Sequence, residues 1–161
     1  VFVLFTNRFC VAQVKISRGP GGRKLFINVF TGGGGEAEFH IESAATSTEE
    51  IGNPVYPPAR RELAEHGITC SGHAARQLTS GDYHQFDLLI GMDQANLRNM
   101  RRICGGDPEG KLHLLMEFSP QAETRKTGLC FAEVADPWYT GDFSATWRDV
   151  SAGCAGLLRQ L

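Results

Sequence analysis

The sequence lacks the cysteine pattern of a metal site or of a disulfide-linked protein. Its five cysteines, Cys10, Cys70, Cys104, Cys130 and Cys154, lie far apart among 161 residues and include no C-x-x-C pair. Structural zinc sites and disulfide frameworks need closely spaced or evenly paired cysteines, so neither is predicted. We expect separate, reduced thiols in a reducing compartment.

Long apolar runs and basic stripes are also absent from the sequence. The longest apolar run, residues 1–5, is far shorter than the roughly 20 residues that span a membrane, and no signal-peptide pattern follows it. Acidic and basic residues are mixed along the chain, with a formal net charge of -2, whereas nucleic-acid-binding domains carry clustered basic residues. We therefore expect a soluble, cytoplasmic protein that binds neither a membrane nor nucleic acid.

No internal repeat and no linker rich in Pro or Ser divides the chain. A chain of this length is close to the usual size of one domain and can bury one sizeable core. We expect residues 1–161 to form a single domain, in which residues 1–35 are atypical.

Alternation of strand and helix patterns is the main structural signal. Short apolar or alternating runs predict strands at residues 1–5, 24–30, 38–42, 86–92 and 111–116. Helical spacing predicts helices from residue 57 to a stop at Gly67, over residues 94–102 and over residues 140–161. This order is typical of a doubly wound, Rossmann-like α/β domain with about four parallel strands and helices on both faces, whose ligands bind outside the carboxyl ends of the strands.

Two glycine-rich segments interrupt the N-terminal region. Residues 31–35 contain four consecutive glycines without the Gly-Lys-Ser/Thr ending of a nucleotide loop, so a flexible turn is favoured over a phosphate-binding loop. The segment Gly19-Pro20-Gly21-Gly22 would break any helix that ran through residues 15–30.

The loop before the C-terminal helix contains a candidate proton donor. Asp136 precedes Pro137 in the segment Val134-Ala-Asp-Pro-Trp-Tyr139, where a proline-stiffened backbone would hold the carboxyl group between aromatic rings. A carboxyl group held in this way is suited to general acid catalysis. Taken alone, Asp-Pro is also typical of a turn that precedes a helix, and spacing by itself favours that structural interpretation.

A second candidate motif is Cys70-Ser-Gly-His-Ala-Ala-Arg76, a cysteine followed six residues later by an arginine. In a phosphatase this spacing wraps backbone N–H groups around phosphate, pairs the arginine with its oxygens and aims the thiolate at phosphorus. Here the cysteine follows a helix stop, whereas a nucleophile is usually presented at the end of an apolar strand. A chance match is therefore favoured, and His73 within it is interpreted first as an exposed loop histidine.

Eight short segments between residues 43 and 143 form a far more specific series than any single motif. They are Ser43-Ala-Ala-Thr-Ser47, Gly52-Asn-Pro54, Arg60-Arg-Glu-Leu-Ala-Glu-His-Gly67, His73-Ala-Ala-Arg-Gln77, Phe86-Asp87, Met92-Asp93, Asn96-Leu-Arg98 and Asp136-Pro-Trp-Tyr-Thr-Gly-Asp-Phe143. In order and spacing they resemble the low-molecular-weight protein tyrosine phosphatases, over about residues 36–161. This resemblance reverses the turn interpretation of Asp136.

The resemblance implies a mechanism for a phosphotyrosine protein or a small aryl phosphate as substrate. A cysteine thiolate attacks phosphorus, an aspartic acid protonates the leaving phenolate, and the aspartate then activates water to hydrolyse the phosphocysteine, without a metal or cofactor. Asp136 matches this acid, and Trp138 and Tyr139 match the aromatic wall around the substrate ring. Ser43 and His73 match polar residues that support the phosphate loop. We expect the protein to act as a monomer.

The first residues depart from the family pattern. The family opens with a strand that runs into Cys-x-x-Gly-Asn-x-Cys-Arg-Ser, but here Leu4 stands at the nucleophile and Cys10 at the arginine. If Cys10 is instead taken as the candidate nucleophile, Ile16 falls at the arginine and Arg18 lies two positions too far along. A thiolate without converging N–H donors and a cation loses its main activating interactions.

Three explanations of this departure remain open from the sequence. In the first, a frame error or a misread sequence has replaced the loop of an active phosphatase, which the abrupt onset of the family match near Glu36 favours. In the second, the chain is a pseudophosphatase that binds without turnover, although it keeps Asp136. In the third, it is an arsenate reductase relative that relays oxidation through Cys70 and Cys104, although the acid loop and aromatic wall favour phosphomonoesters. We predict a phosphatase.

Overall fold

A computed structural model describes residues 2–6, 14–19, 22–27, 40–49, 51–68, 75–120, 133–137 and 141–160. The strands in these ranges are β1 (Phe2–Thr6), β2 (Val14–Gly19), β3 (Gly22–Ile27), β4 (His40–Ala44), β5 (Leu88–Gly91) and β6 (Leu112–Leu114). The helices are α1 (Pro57–Glu65), α2 (Ser80–Gln85), α3 (Gln94–Cys104) and α4 (Phe143–Gln160), with a 3-10 turn at Leu115–Phe118.

Four parallel strands form the main sheet among the described residues, in the order β4-β1-β5-β6. β1 lies inside the sheet and pairs with β4 on one side and with β5 on the other. Between β4 and β5 the chain therefore passes from one side of β1 to the other. A reversal of this kind is the topological switch point of a doubly wound sheet. The predicted parallel sheet is confirmed.

Helices cover both faces of this sheet, as predicted. Leu89 and Ile90, neighbours in β5, point to opposite faces, and both side chains are fully buried. Ile90 packs in one core cluster with Leu63 of α1 and Leu157 of α4. Leu89 packs in the other cluster with residues of α2 and α3, including Met100. Burial on both faces explains why the predicted central strand is almost continuously apolar.

The N-terminal region contains a hairpin in place of a helix. β2 and β3 pair antiparallel, separately from the main sheet, with Gly19 opposite Gly22 at the closed end. The predicted strand at residues 24–30 corresponds to β3, but it does not join the parallel sheet. β2 was not predicted, because its mixed polar and apolar residues carry little strand signal. The predicted turn at residues 31–35 lies outside the described residues.

Local hydrogen bonds set the helix ends. The carboxylate of Asp93 accepts a hydrogen bond from the Asn96 N–H at 2.6 Å at the start of α3, and Gly105 ends that helix with φ +76. α4 begins at Phe143 and not at residue 140, because Asp142 caps it by accepting from the Ala145 N–H at 2.9 Å. Within the described ranges, none of the helices combines the length and apolar character that a membrane crossing requires.

The short helix α2 was not predicted from the sequence. At six residues it is too short to show helical periodicity. Its signal lay in the capping pair, since the Asp82 carboxylate accepts hydrogen bonds from the Thr79 N–H at 2.7 Å and from the Thr79 hydroxyl at 2.9 Å. Phe86 follows this helix as its C-terminal cap, and the strand predicted to start there begins instead at Leu88.

α4 packs against the 3-10 turn at a glycine. A Cβ built at Gly156 would overlap the carbonyl oxygen of Phe118 and lie 2.5 Å from its carbonyl carbon. Both obstructing atoms belong to the backbone, so a side-chain rotation cannot remove the overlap. The close approach of helix and turn therefore depends on glycine at this position.

We expect Gly156→Ala to lower the free energy of unfolding by about 3 kcal/mol, at the upper end of overpacking substitutions. Urea denaturation followed by circular dichroism measures this change. Gly81→Ala is the matched control, because its Cβ would meet only the Thr79 hydroxyl oxygen at 3.6 Å, and alanine in a helix is favourable by about 0.5–1 kcal/mol. Equal stability of the two variants would contradict the packing of α4 against the turn.

Candidate active site

The carboxyl ends of the parallel strands form the edge at which a ligand site is expected. Thr6, at the end of β1, lies between Ala44 of β4 and Gly91 of β5 in the sheet register. The chain leaves β1 here into residues 7–13, which lie outside the described residues. Because strand order reverses at β1, the crevice beside its carboxyl end is where folds of this class bind ligands.

The acid loop, residues 133–137, lies at this same edge. The Val134 N–H donates to the carbonyl oxygen of Met92, directly after β5, at 3.0 Å. The Gln94 N–H, at the start of α3, donates to the carboxylate of Glu133, also at 3.0 Å. Asp136 follows two residues after Val134 and is half-buried. The predicted proton donor is therefore placed at the carboxyl edge, next to the end of the central strand.

Helix α4 holds the other side of the acid loop. Asp149 accepts a hydrogen bond from the Ala135 N–H at 3.0 Å, and the Thr146 hydroxyl donates to the carbonyl oxygen of Ala135 at 2.7 Å. The Gly141 N–H donates to the carbonyl oxygen of Pro137 at 2.8 Å. Sequence reasoning missed Asp149 and Thr146. Their only signal was a pair of polar residues three positions apart on an otherwise core-facing helix.

Ser43 lies at the carboxyl edge as well. It is the fourth residue of β4, pairs with Phe5 of β1 in the sheet register, and is 5% exposed. A buried hydroxyl beside the strand that leads into residues 7–13 is well placed to support a loop there. The supporting role of Ser43 stays a prediction.

Four other predicted site residues, Cys10, His73, Trp138 and Tyr139, lie outside the described residues. Their neighbours in the chain are described. β1 ends four positions before Cys10, and Pro137 of the acid loop directly precedes Trp138. The segments that carry these residues therefore start from the same edge of the sheet.

Residues 75–78 are tied to the end of β4. The Ala45 N–H donates to the carbonyl oxygen of Arg76 at 2.7 Å, and the Leu78 N–H donates to the carbonyl oxygen of Ala45 at 2.9 Å. These bonds extend the sheet by one parallel bridge beyond β4. His73 lies two positions before Ala75, so the chain that carries His73 reaches the edge beside Ser43.

Arg76 has a structural role in this arrangement. Its guanidinium donates to the Glu42 carboxylate at 2.7 Å and to the two carboxylate oxygens of Asp82 at 3.0 and 3.1 Å. The ion cluster, Glu42, Arg76 and Asp82, links β4 to α2. A guanidinium held by two carboxylates is poorly suited to clamp phosphate. These contacts favour the chance interpretation of the spacing between Cys70 and Arg76.

Removal of Arg76 from the ion cluster is expected to destabilise the fold. Arg76→Met leaves the Asp82 carboxylate, whose side chain is 7% exposed, buried without its cation. We expect a loss of about 2 kcal/mol, less than for a fully buried pair because the Arg76 side chain is 37% exposed. Urea denaturation of Arg76→Met and of Arg76→Met with Asp82→Asn provides the check. The second substitution should recover part of the loss, and no recovery would contradict the pairing.

The ion cluster also predicts a loss of stability in acid. Burial alone would raise the pKa of Asp82, but hydrogen bonds from Arg76 and Thr79 outweigh burial and hold this pKa below its ordinary value. A lowered folded-state pKa gives stability that is present above the unfolded pKa of about 3.9 and is lost as pH falls through the folded pKa. The free energy of unfolding should therefore fall less steeply below about pH 4 in Asp82→Asn than in the wild type. Parallel slopes in urea titrations at pH 6 and pH 3 would refute this.

A recess adjoins the acid loop between the starts of α1 and α4. It has a volume of about 490 Å³ and is lined by Tyr56, Pro58, Arg61, Glu62, Glu65, Pro137, Gly141, Asp142, Phe143 and Ser144. Three of these residues are carboxylates. In the part of the chain that the structure describes, however, no three His, Cys, Asp or Glu side chains are arranged to hold a metal ion.

The fold and the edge define a doubly wound α/β protein with its site at the switch point, and solved structures share this fold. The crystal structure of YfkJ from Bacillus subtilis matches with a TM-score of 0.69 and 24% identity, over 99% of this chain and 93% of that one. A low molecular weight protein tyrosine phosphatase from Streptococcus pyogenes matches with a TM-score of 0.68 and 26% identity, over 99% and 92%.

Sequence comparison extends the likeness from fold to family. The family model described as low molecular weight phosphotyrosine protein phosphatase matches residues 9–161. The protein of that name from Gallus gallus is 33% identical over 149 residues, which cover 90% of this chain and 89% of the relative. The chain belongs to the low molecular weight phosphotyrosine protein phosphatase family. The family match begins before residue 36, where the recognisable segments were predicted to start.

Proposed function

We propose that the protein hydrolyses phosphotyrosine through a phosphocysteine intermediate, with Asp136 as general acid and then as general base. The observation that carries this proposal is the anchoring of the acid loop to Met92 at the end of β5, next to the carboxyl end of β1. Family membership supports the same activity, because the named relatives are phosphotyrosine protein phosphatases.

Asp136 serves both chemical steps. In the first, the S–P bond forms as the P–O bond breaks, and Asp136 gives its proton to the departing phenolate oxygen. In the second, the aspartate takes a proton from water, whose oxygen attacks phosphorus, and the S–P bond breaks to release phosphate and regenerate the thiolate. The bonds to Ala135 from α4 hold the carboxyl group on a braced loop, which suits a group that must meet two successive intermediates.

The remaining site residues are assigned by position. Cys10 is the candidate nucleophile, since it follows β1 into the crevice at the switch point. Ser43 and His73 support the phosphate-binding loop, and Trp138 and Tyr139, which follow the acid loop, flank the substrate ring. We propose that all of them belong to one domain that spans residues 1–161.

An arsenate reductase relay is less favoured than phosphate ester hydrolysis. The candidate relay thiol Cys104 is the last residue of α3, a helix of 11 residues that starts at the carboxyl edge and at about 1.5 Å per residue ends far from it. Burial, with the negative charges of Asp82 and Asp107, also raises the pKa of the Cys104 thiol. A relay cysteine needs a thiolate close to the reacting centre.

The proposed setting follows from the chemistry. A thiolate nucleophile requires reduced cysteine, and both cysteines in the described part of the chain, Cys104 and Cys154, are free. We place the protein in the cytoplasm, as a monomer that acts on phosphotyrosine proteins or small aryl phosphates and does not depend on nucleic acid or a membrane.

Hydrolysis of p-nitrophenyl phosphate by the purified protein, in the presence of a chelator, tests the proposed activity. We expect multiple turnovers that are abolished by thiol alkylation. Binding of phosphotyrosine without turnover would replace the proposal with a phosphate-loop-deficient binding module. Thiol-dependent reduction of arsenate without phosphate release would replace it with the reductase.

A further inference from the structure

The recess beside the acid loop carries more negative than positive charge. Glu62 and Glu65 of α1 and Asp142 before α4 supply three carboxylates, and Arg61 supplies the single cation among the described lining residues. Their formal charges leave a balance of minus two. Glu65, Asp142 and Arg61 are exposed, while Glu62 is drawn towards His66, with Oε1 and Nε2 3.4 Å apart. The field in the opening favours a cation.

Two aromatic rings form the apolar part of the wall. The ring centroids of Tyr56 and Phe143 lie 6.2 Å apart with a tilt of 34°. Rings in this arrangement cover the methylene stem of a long side chain, and their faces attract a cationic head group. Carboxylates combined with aromatic faces match the chemistry of lysine and arginine side chains.

The location of the recess connects it with the substrate. Pro137 lines the recess, and it directly follows Asp136, so the two Cα atoms are about 3.8 Å apart. The Asp136 carboxyl group must approach the ester oxygen of the bound phosphotyrosine in the proposed reaction. An extended peptide advances about 3.3 Å per residue. Residues close to the phosphotyrosine in sequence therefore come within reach of the recess.

We propose that the recess is a substrate subsite that receives a lysine or arginine side chain located within three residues of the phosphotyrosine. This inference rests on the proposed function and adds a class of substrate, phosphotyrosine peptides with a basic residue close by. Glu65 and Asp142 supply the charge that selects the basic residue, and the Tyr56 and Phe143 rings cover its stem.

Phosphopeptides of identical composition test the subsite. One peptide set carries a single lysine at one, two or three residues from the phosphotyrosine, on either side. The reference peptide carries the same lysine six residues away, so net charge is constant and general attraction cancels. We expect kcat/KM to be about fivefold higher for the best near-lysine peptide, the size of a few partly exposed charge and ring contacts, and this preference should fall as salt increases.

Two carboxylate variants localise the preference. Glu65→Gln removes one charge from the recess and should lower the ratio between near-lysine and reference peptides to about twofold or less. Glu109→Gln makes the same chemical change in the loop before β6, at the opposite edge of the sheet, where Glu109 is an exposed partner of Lys111. This control should keep the wild-type ratio. Equal ratios for wild type, Glu65→Gln and Glu109→Gln would overturn the subsite.

A binding measurement separates failure of the subsite from failure of the proposed activity. If p-nitrophenyl phosphate is not turned over, the proposed hydrolysis fails, and the same peptide pair is then compared with a non-hydrolysable phosphonate in place of phosphate. A lower Kd for the near-lysine peptide, lost in Glu65→Gln, supports the subsite. Equal Kd values, or no binding of either peptide, overturn it.

Discussion

Asp136→Asn is expected to lower kcat for phenyl phosphate by about 10²–10³-fold with little change in KM, the range for loss of a general acid. Asparagine keeps the size of the side chain but has no proton to transfer to the leaving oxygen. The acid loop is held by backbone bonds of Val134 and Ala135, so its geometry should survive the substitution. Steady-state kinetics of the wild type and the variant measure the effect.

The leaving group distinguishes proton donation from a structural effect of Asp136→Asn. The loss should be smaller for 2,4-dinitrophenyl phosphate, whose leaving group departs readily without a proton. Glu133→Gln is the matched control, because an amide oxygen can still accept the hydrogen bond from the Gln94 N–H. We expect near wild-type turnover for this control. Equal losses with both leaving groups would contradict the assignment of Asp136 as the acid.

Cys10→Ser is expected to reduce turnover of an aryl phosphate by about 10³-fold or more, because loss of a nucleophile removes the covalent route. Rapid acid quenching during turnover, followed by peptide mass spectrometry, should locate a phosphoryl group on Cys10 in the wild type. The same spectra read the first forty residues of the protein and so test whether they match the sequence. A phosphoryl group elsewhere, or none during turnover, would refute Cys10 as the nucleophile.

Cys104→Ser is the matched control for the nucleophile. Cys104 lies at the far end of α3, and burial together with Asp82 and Asp107 raises the pKa of its thiol. Both features make it a poor nucleophile in the crevice, so this variant should keep wild-type turnover. If Cys104→Ser abolished turnover while Cys10→Ser did not, the proposed site at the carboxyl edge would be wrong.

Sequence patterns predicted the central part of the fold well, because those elements depend on local signals and burial. β5 and α3 lie close to their predicted positions. A strand buried on both faces is apolar almost throughout, and α3 has a capping Asp93 and a terminal Gly105. The N-terminal hairpin was harder to predict, since the pairing of β2 with β3 depends on contacts along a polar strand.

The contacts around the acid loop show why the site was only partly predictable. The segment around Asp136 was recognised through its resemblance to a family, and no spacing rule would have separated it from an ordinary turn. The bonds from Asp149 and Thr146 to Ala135 join residues more than ten positions apart. Such partners depend on how α4 lies on the sheet, which no local pattern encodes.

The sequence by itself determined the alternating strands and helices, the parallel sheet and the family, because periodicity, caps and an ordered series of motifs are local properties. Only the tertiary structure decided that Arg76 pairs with Glu42 and Asp82, and that Gly156 touches the backbone at Phe118. It also brought α1 and α4 together around the recess beside the acid loop. These features arise where distant segments pack, so their geometry exists only after the chain has folded.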